Sequence, residues 1–357
     1  MQSRALTKGR GAGLNTDNRF LKGNFVPEFE DAESFDDHEE LNRQTIFTEI
    51  FPKSIVNKVT SPDVGMEYSL NPYQGCEHGC IYCYARPTHE YWGYSAGLDF
   101  ERKILVKHDA PDLLVQLFEK NSWKPATIVL SGNTDCYQPI ERKLGITRKL
   151  LEVFLKYRHP VGIITKNALI LRDLDILKPL AELNLVRVMI SITTLNETLR
   201  RVLEPRTASV IQKLNTIKTL CEAGIPVGVM MAPVIPSLTD SEILPLSKKV
   251  SEAGASSLGY TILRLNGPVA ELFENWLKVH YPDRADRILN QTRSIHGGQL
   301  GDSRFGSRMS GEGEVASIVK KQFDLARKKY FDKRASTPLN LFLFKRPDKA
   351  GDQLSLL

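Results

Sequence analysis

The sequence predicts an α/β fold in which parallel strands alternate with helices. From about residue 66, six short runs rich in β-branched residues are separated, in most cases, by runs with helical apolar spacing. Parallel strands need crossover connections, and helices supply them. The strands could close partly as a barrel or lie open as a doubly wound sheet. In both arrangements, chemistry belongs at the carboxyl ends of the strands.

The individual elements follow from periodicity and from stop signals. Two predicted helices end at Gly224 and Gly254, as helices commonly do, and an earlier one stops before Pro160. The predicted strands span residues 67–71, 126–131, 161–166, 185–193, 226–234 and 257–265. The predicted helices span residues 144–158, 209–223, 241–253, 269–281 and 314–330.

The two ends of the chain differ from this central part. Residues 26–40 contain eight acidic residues and no Lys or Arg, a composition unsuited to a packed core, so we expect an extended or disordered arm over residues 1–45. Residues 46–265 form the predicted core. Residues 266–357 form a mainly helical C-terminal extension with a loop rich in Gly, Ser and Arg, which we expect to pack on the core or cap it.

The composition excludes several classes of protein. The 357 residues are 41% apolar and 25% charged, which excludes a fully disordered chain, a collagen-like fibre and a small disulfide-stapled scaffold. No apolar run approaches the ~18 residues that cross a membrane, and the N-terminus lacks the apolar stretch of a signal peptide. We therefore expect a cytoplasmic protein without a membrane partner.

The net charge is unevenly distributed along the chain. Residues 1–40 hold five basic and nine acidic residues, so the rest of the chain carries +10 although the whole chain carries only +6. A basic body suits a phosphate-rich partner such as nucleic acid. The chain has no dense run of Lys or Arg that would demand such a partner.

The cysteine pattern predicts a metal or redox centre. The five cysteines are an odd number, and three of them fall within eight residues as C-x3-C-x2-C, which is unlike a disulfide framework. Cys76, Cys80 and Cys83 could ligate a [4Fe–4S] cluster and leave its fourth iron open to another ligand. The alternative is a zinc site in which His78 or His89 is the fourth ligand.

The segment around these cysteines resembles a known superfamily. The sequence CEHGCIYC over residues 76–83, directly after the first predicted strand and with Tyr82 before the last cysteine, resembles the radical SAM signature. The resemblance covers roughly residues 66–265. Within it, CIYCY over residues 80–84 and the longer stretch NPYQGCEHGCIYCYARPTHEYW are similar to the spore photoproduct lyase-like bacterial proteins often labelled "DNA repair photolyase".

This resemblance implies a fold and a reaction. The fold would be an incomplete (β/α)6 TIM-like barrel. S-adenosylmethionine (SAM) would chelate the open iron of the [4Fe–4S] cluster, and one electron would cleave it to methionine and a 5′-deoxyadenosyl radical that abstracts hydrogen from the substrate. The implied partners are an electron donor such as flavodoxin or ferredoxin and, for a DNA-lesion substrate, nucleic acid. The alternatives are a small-molecule, protein or RNA substrate, and a non-catalytic metal-binding module that binds nucleic acid.

The resemblance also implies residues that contact the cofactor. In the turn SGNTD, Asn133 and Thr134 are candidates for the methionyl amino group, with helix capping as the alternative role. Lys166 closes an apolar strand, where a lysine is costly to bury unless it meets an anion such as the SAM carboxylate. The other candidate SAM contacts are the strand-end residues Ser191, Thr193 and Met231, together with Tyr82.

Two further residues are candidates for catalysis. Tyr84 forms, with Tyr82, an aromatic pair like that of the lyases, and we expect it at the reacting centre. Cys136 follows the SGNTD turn and could return a hydrogen atom to a product radical, although it could equally be structural. Cys221 lies on the apolar side of its predicted helix and is expected in the core.

Overall fold

The computed structural model describes residues 9–21, 44–332 and 338–347. Within these ranges, ten strands lie in two sheets. They are β1 (Ile46–Glu49), β2 (Val56–Lys58), β3 (Tyr68–Leu70), β4 (Tyr73–Gln74), β5 (Lys103–Val106), β6 (Ile128–Leu130), β7 (Val161–Thr165), β8 (Val186–Ser191), β9 (Val227–Val234) and β10 (Ser257–Ile262). Among the described residues, no helix combines the length and apolar character needed to cross a membrane.

Eleven α-helices accompany the strands in the described ranges. They are α1 (Leu98–Arg102), α2 (Ala110–Glu119), α3 (Glu141–Leu144), α4 (Ile146–Lys156), α5 (Leu174–Glu182), α6 (Glu197–Leu203), α7 (Val210–Glu222), α8 (Ile243–Glu252), α9 (Val269–His280), α10 (Ala285–Ile295) and α11 (Gly313–Tyr330). Four short 3-10 turns, Arg86–Trp92, Ala168–Asp173, Asp240–Glu242 and Pro282–Arg284, complete the described secondary structure.

The larger sheet confirms the predicted α/β architecture. Its strand order is β10-β9-β8-β7-β6-β3-β2, so the six predicted strands lie side by side in chain order and pair in parallel. β2 adds one antiparallel strand beside β3. Within the described ranges β10 and β2 are the two edges, so the sheet does not close, as expected for an incomplete barrel.

Local sequence explains why the crossover helices form where they do. Ser209 caps the N-terminus of α7 through a capping box with Gln212. The helix ends at Glu222, and Gly224, two residues later, has a φ of +77° in the left-handed region that stops a helix. Ile217 and Leu220 of this helix are fully buried against the sheet. The predicted helix over residues 144–158 begins only at Ile146, because Gly145 has a φ of +64° and separates α3 from α4.

The smaller sheet, which periodicity does not predict, carries the cysteine segment. Its order is β1-β5-β4, with β1 parallel and β4 antiparallel to β5. The chain leaves β4 at Gln74 and enters the cysteine segment at once. The amide of Cys76 donates to the carbonyl of Phe100 at 2.9 Å, so the start of the segment is fixed against α1.

Part of the predicted N-terminal arm is packed against the core. Residues 9–21 contain no helix or strand, yet Ala12 is fully buried and belongs to the same apolar cluster as Cys80. The amides of Gly11 and Ala12 donate to the Glu101 carboxylate at 3.0 and 2.8 Å. Residues 9–21 of the predicted arm therefore pack on the core, which their composition does not indicate, and the acidic residues 26–40 lie outside the described residues.

The C-terminal extension packs on the core and bridges the two edges of the larger sheet. α11 packs on α8, and its Phe323 stacks on Tyr260 of β10 with ring centroids 4.1 Å apart. We call residues 296–312, which precede α11, the bridging loop. At one sheet edge the amide of Ile262 donates to Met309 at 2.9 Å, and at the other Arg308 pairs with Asp63 at 2.7 Å.

Candidate active site

A cavity of about 430 Å³ lies at the carboxyl ends of the parallel strands. Strand-end residues from β6 to β10 line one part of its wall, as expected for an α/β sheet. The turn between β2 and β3, the cysteine segment and the bridging loop supply the remainder. The side chains on this wall include Val64, Met66, Cys76, Cys80, Cys83, Tyr82, Tyr84, Asn133, Asp135, Lys166, Ser191, Met230, Arg264 and Met309.

The three clustered cysteines all reach this cavity. Cys76 and Cys80 are buried, and Cys83 is half-buried, so the protein largely shields the site from solvent. In the described residues, no three His, Cys, Asp or Glu side chains are close enough to hold a single metal ion. Three cysteine thiols on one cavity are the donor type that iron–sulfur clusters take from proteins.

The two histidines proposed as zinc ligands have other surroundings. Both ring nitrogens of His78 are engaged, one 3.3 Å from Asp135 and the other 3.2 Å from the Asn167 amide. His89 is fully buried between the rings of Tyr94 and Phe100. Burial lowers its pKa to about 4, so it is neutral at pH 7. His89 does not line the cavity, and His78 lines it with both ring nitrogens already engaged, so neither is placed to complete a zinc site with the cysteines in the described residues.

Burial also controls the ionisation of the cysteines. It raises the pKa of Cys76, Cys80 and Cys83 above the ordinary thiol value, and the neighbouring Asp135 and Glu204 raise the first two further. The metal-free protein therefore holds neutral thiols at pH 7. Binding of iron would have to displace three protons, as thiolate ligation generally does.

The N-terminal arm lies directly behind the cysteine segment. A side chain at Gly11 would place its Cβ 1.8 Å from the carbonyl oxygen of Gly79, which lies between Cys76 and Cys80 and has a φ of +66°. Glu101 accepts hydrogen bonds from the arm and pairs with the fully buried Arg86 at 2.5 Å. The loop that carries the cysteines is thus held between the arm and Glu101.

A buried cluster of charges lies beside the cysteines. The Glu204 carboxylate accepts from Lys213 at 2.8 Å and from Thr193 at 2.7 Å, and it lies 3.7 Å from Lys166. Burial alone would raise the pKa of Glu204, but Lys213 and Lys166 offset it and hold that pKa well below the ordinary value. Glu204 is therefore ionised, and it pairs more closely with Lys213 than with Lys166, whose side chain lines the cavity.

Tyr82 links this charge cluster to the cysteine segment. Its hydroxyl donates to Glu204 and lies 3.1 Å from the Thr193 hydroxyl. Burial and the Glu204 charge raise the pKa of Tyr82, so the phenol is neutral. Because Tyr82 lies between Cys80 and Cys83 in the chain, Glu204 positions this part of the cysteine segment through it.

Asp135 organises the opposite wall. Its carboxylate accepts from the Thr165 hydroxyl at 2.8 Å and from the Lys166 amide at 2.8 Å, and it lies 3.3 Å from His78. Burial alone would raise the pKa of Asp135, but His78 and the backbone amides lower it below the ordinary value. The negative charge of Asp135 therefore fixes the ends of β6 and β7 next to one another.

The SGNTD turn divides its polar residues between the cavity and the interior. Asn133 lines the cavity, whereas the Thr134 hydroxyl is buried and donates to the carbonyl of Tyr73 at 2.5 Å. Tyr84 also lines the cavity, and its hydroxyl donates to the carbonyl of Gly132 at 2.5 Å. A Cβ at Gly132 would lie 2.3 Å from the Ser69 hydroxyl, so the turn needs glycine there.

Of the remaining residues that were predicted to contact SAM, some reach the cavity and others do not. Ser191 lines the cavity, and Thr193 is buried with its hydroxyl on Glu204. Met231 points into the core and is fully buried, while its neighbour Met230 lines the cavity. The prediction of Met231 as a cavity residue is corrected to Met230, because successive side chains of a strand face opposite sides.

Cys136 is fully buried in the main apolar core and is not one of the side chains that line the cavity. Its amide donates to the Ser131 hydroxyl at 2.7 Å, and its carbonyl accepts from Thr147 at 2.6 Å. Its neighbour Asp135 lines the cavity, so the side chains of these two adjacent residues lie in different surroundings. This placement corrects the expectation that Cys136 acts on a substrate radical, and it favours the structural alternative.

Several residues of the site were missed by the sequence patterns. Lys213 is the clearest, because a lysine among the buried Val210 and Ile217 on one helix face indicates an internal anion partner. No sequence pattern indicated the apolar wall that Met66 and Met309 form, because this wall exists only where the turn after β2 meets the bridging loop. Arg264 lies near the end of the predicted strand 257–265 and was not singled out, although it lines the cavity.

Comparison with known proteins agrees with this geometry. The model of the Radical SAM superfamily matches residues 70–250, about half of the chain. An uncharacterized protein of Mycobacterium tuberculosis, Rv2578c, is 33% identical over 244 residues, which cover 68% of this chain and 72% of the relative. An uncharacterized protein of Methanocaldococcus jannaschii, MJ0683, is 30% identical over 252 residues, which cover 71% of this chain and 90% of that one.

Solved structures show a related fold. Spore photoproduct lyase complexed with dinucleoside spore photoproduct superposes with a TM-score of 0.58 at 17% identity, over 80% of this chain and 79% of that one. At this identity the likeness concerns the fold, including the parallel sheet that frames the cavity. Because the family model and a relative 33% identical over 68% of the chain both match, the chain belongs to the radical SAM superfamily.

Proposed function

We propose that this protein is an enzyme that holds a [4Fe–4S] cluster on Cys76, Cys80 and Cys83 and binds SAM beside it. The observation that carries the proposal is the meeting of three cysteine thiols and Lys166 on one shielded cavity. When bound, the reduced cluster supplies the electron that cleaves SAM to methionine and a 5′-deoxyadenosyl radical, which abstracts hydrogen from the substrate.

The charge cluster suits the carboxylate of SAM. Glu204 neutralises Lys213 at 2.8 Å and stands farther from Lys166, at 3.7 Å. Burial alone would lower the pKa of Lys166, but Glu204 and the neighbouring acidic groups raise it, so the ammonium is charged. The positive charge left on Lys166 would receive the SAM carboxylate at the end of β7. Asn133 and Ser191 supply polar groups on the same wall.

The apolar part of the cavity suits radical chemistry. Met66, Met230 and Met309 also line the wall of the cavity, and they would exclude water from a bound substrate. Tyr84 is held at the edge of this wall by its hydrogen bond to Gly132. We propose Tyr84 as the aromatic surface against which the substrate is positioned.

A DNA lesion is the substrate class that we propose. The similar fold of spore photoproduct lyase, which has been solved with dinucleoside spore photoproduct, supports this choice. The net charge of +10 outside residues 1–40, against +6 for the whole chain, also favours a phosphate-bearing partner. We propose flavodoxin or ferredoxin as the class of electron donor. Substrates of another class remain an outcome of the substrate test below.

The metal content of reconstituted protein tests the cluster. Anaerobic reconstitution of the wild type should yield a brown protein with about four irons per chain. Cys80→Ala should lose the colour and the iron, whereas Cys221→Ala, which changes a cysteine outside the cavity, should retain both. A colourless wild type with stoichiometric zinc would refute the proposal.

Isotope transfer tests the substrate class. DNA that carries thymine lesions with deuterium at the expected positions of abstraction is incubated with the reduced, SAM-loaded enzyme. Deuterium in 5′-deoxyadenosine would support a DNA-lesion substrate. SAM cleavage without transfer from any lesion of the series would reject DNA lesions as the substrate and leave the cofactor assignment standing.

A further inference from the structure

We propose that Arg264 recognises an anionic group, phosphate or carboxylate, on the substrate. The inference rests on the proposed function, because it treats the cavity as the place where substrate and SAM meet. Arg264 lies two residues beyond the last residue of β10 and lines the cavity. It would give the site a second anion-binding position, separate from Lys166.

Within the described residues, Arg264 has no hydrogen bond or ion pair, although it is half-buried. Burial and the nearby Arg308 lower its pKa below the ordinary arginine value, and the more distant Tyr84, Asp63 and Asp302 offset this lowering only in part. A partly buried cation without a counter-ion costs free energy unless a ligand supplies one. Arginine remains charged at pH 7 whatever this shift, so the guanidinium is available to an anion.

The other charges near Arg264 are already paired. Arg308 donates to the Asp63 carboxylate through two nitrogens, at 2.7 and 2.9 Å. Arg304 pairs with Asp302 at 2.9 Å. The positive charge of Arg264 therefore adds to that of the cavity, and no described carboxylate within ion-pairing distance cancels it.

The position of Arg264 separates it from the site proposed for SAM. β7, which ends next to Lys166, and β10, which ends before Arg264, are separated in the sheet by β8 and β9. Each of the two cationic side chains would then pair with one anion, Lys166 with the SAM carboxylate and Arg264 with an anionic group of the substrate. Arg264 also stands where the bridging loop joins the sheet edge, which is the open side of the barrel.

The neighbouring surfaces define the rest of the ligand. Tyr84 provides an aromatic face, and Val64, Met66 and Met309 provide apolar contacts on the same wall. A planar guanidinium binds phosphate or carboxylate through two parallel hydrogen bonds. The ligand is therefore an aromatic or apolar body that carries one such anion, a description that a dinucleotide and an acidic aromatic compound both satisfy.

Binding of two matched pairs of probes to the reconstituted, SAM-loaded protein tests this inference. Thymidylyl-thymidine carries a charged phosphodiester, and its methylphosphonate analogue is neutral with nearly the same shape. Acetylated tyrosyl-tyrosine and its C-terminal amide make the same comparison for a carboxylate. We expect the wild type to bind the charged member of at least one pair about tenfold more tightly or better, as charge-assisted hydrogen bonds provide.

Variants assign that preference to Arg264. Arg264→Gln should abolish the preference for the charged probe and leave binding of the neutral one unchanged, and Arg264→Lys should retain part of it. Arg304→Gln changes an exposed, ion-paired arginine of the bridging loop and should keep the full preference. Thermal unfolding of each variant shows whether it folds as the wild type does.

The outcomes distinguish this inference from the proposed function. Equal binding of charged and neutral probes by the wild type, or a preference that survives in Arg264→Gln, would overturn the inference. A preference for the phosphodiester pair alone assigns the anion to a phosphate, and a preference for the peptide pair alone assigns it to a carboxylate. Failure of the wild type to cleave SAM is measured separately and would overturn only the proposed function.

Discussion

Replacing Glu204 with glutamine would remove the carboxylate that lies between Lys213 and Lys166. Glu204 is fully buried and contacts Lys213 at 2.8 Å, and Lys213 is itself almost fully buried. Glutamine keeps the shape and one acceptor but loses the charge. Lys213 would then be a buried ammonium without a counter-ion, and the Tyr82 hydroxyl would lose its charged acceptor.

The expected cost follows from this geometry. Removing one partner of a buried ion pair costs about 3–5 kcal/mol, and the acceptor that glutamine retains places Glu204→Gln near the lower end. The pKa of Glu204 lies below the ordinary 4.5, so its ionised form stabilises the fold above about pH 4.5, and this contribution is lost as the pH falls. The difference between wild type and variant should therefore be full at pH 7 and shrink below about pH 4.5.

Urea unfolding of both proteins at pH 7 measures this free energy. Glu222→Gln is the matched control, since Glu222 pairs with Lys218 at 3.8 Å on the surface of α7, where both side chains are 66% exposed. That change should cost less than about 0.5 kcal/mol. Adding Lys213→Met to Glu204→Gln should recover at least about 1 kcal/mol. A loss below about 1 kcal/mol for Glu204→Gln, or simple additivity in the double variant, would refute the reasoning.

Three other changes have defined outcomes. Burial lowers the pKa of His159 to about 3, so below pH 6.5 the unfolded state binds more protons than the folded state. The free energy of unfolding should therefore decrease by up to ~1.4 kcal/mol for each unit that the pH is lowered below 6.5. Urea unfolding of His159→Phe at pH 7 and pH 5 should show a smaller decrease between the two pH values than the wild type. Gly11→Ala should lower the iron retained after reconstitution, because its Cβ would lie 1.8 Å from a carbonyl of the cysteine segment, whereas Gly65→Ala, which has open space, should not. Asp63→Asn should weaken the contact with Arg308 and speed protease cleavage of the bridging loop; an unchanged cleavage rate would contradict its bridging role.

Four of the parallel strands, β7 to β10, could be predicted from periodicity because each carries five to eight residues. β7 and β8 have five and six residues with regular burial, and helices with clear stop signals follow or precede them. β4 and β2 have two and three residues, too few for any periodicity, so the smaller sheet and the antiparallel edge strand were missed. Their positions depend on contacts with β5 and β3, which lie far along the chain or across a turn.

The sequence predicted which types of residue form the site better than it predicted which side chains point into the cavity. Met231 was selected where Met230 faces the cavity, because a strand alternates its faces and one residue reverses the assignment. Cys136 was placed near the chemistry by its position after a strand, but its side chain is fully buried in the main apolar core. Neither outcome is visible in composition or spacing, because both depend on backbone geometry.

The partners within the charge cluster could not be predicted for a different reason. Glu204 follows β8 by more than ten residues, Lys213 lies on α7, and Tyr82 belongs to the cysteine segment. Only the packing of α7 against the sheet brings these three side chains together. A buried lysine in the apolar stripe of a helix indicates that an anionic group lies near it, but the sequence does not show which group this is, because that depends on the fold.

The central claim is that the cavity beside the three cysteines cleaves SAM. Its most direct test is the amount of 5′-deoxyadenosine formed when the anaerobically reconstituted wild-type protein is reduced in the presence of SAM, with Cys80→Ala treated in parallel. We predict 5′-deoxyadenosine and methionine from the wild type, in equal amounts, and neither from the variant. A wild type that carries its full iron content and forms no 5′-deoxyadenosine would contradict the account.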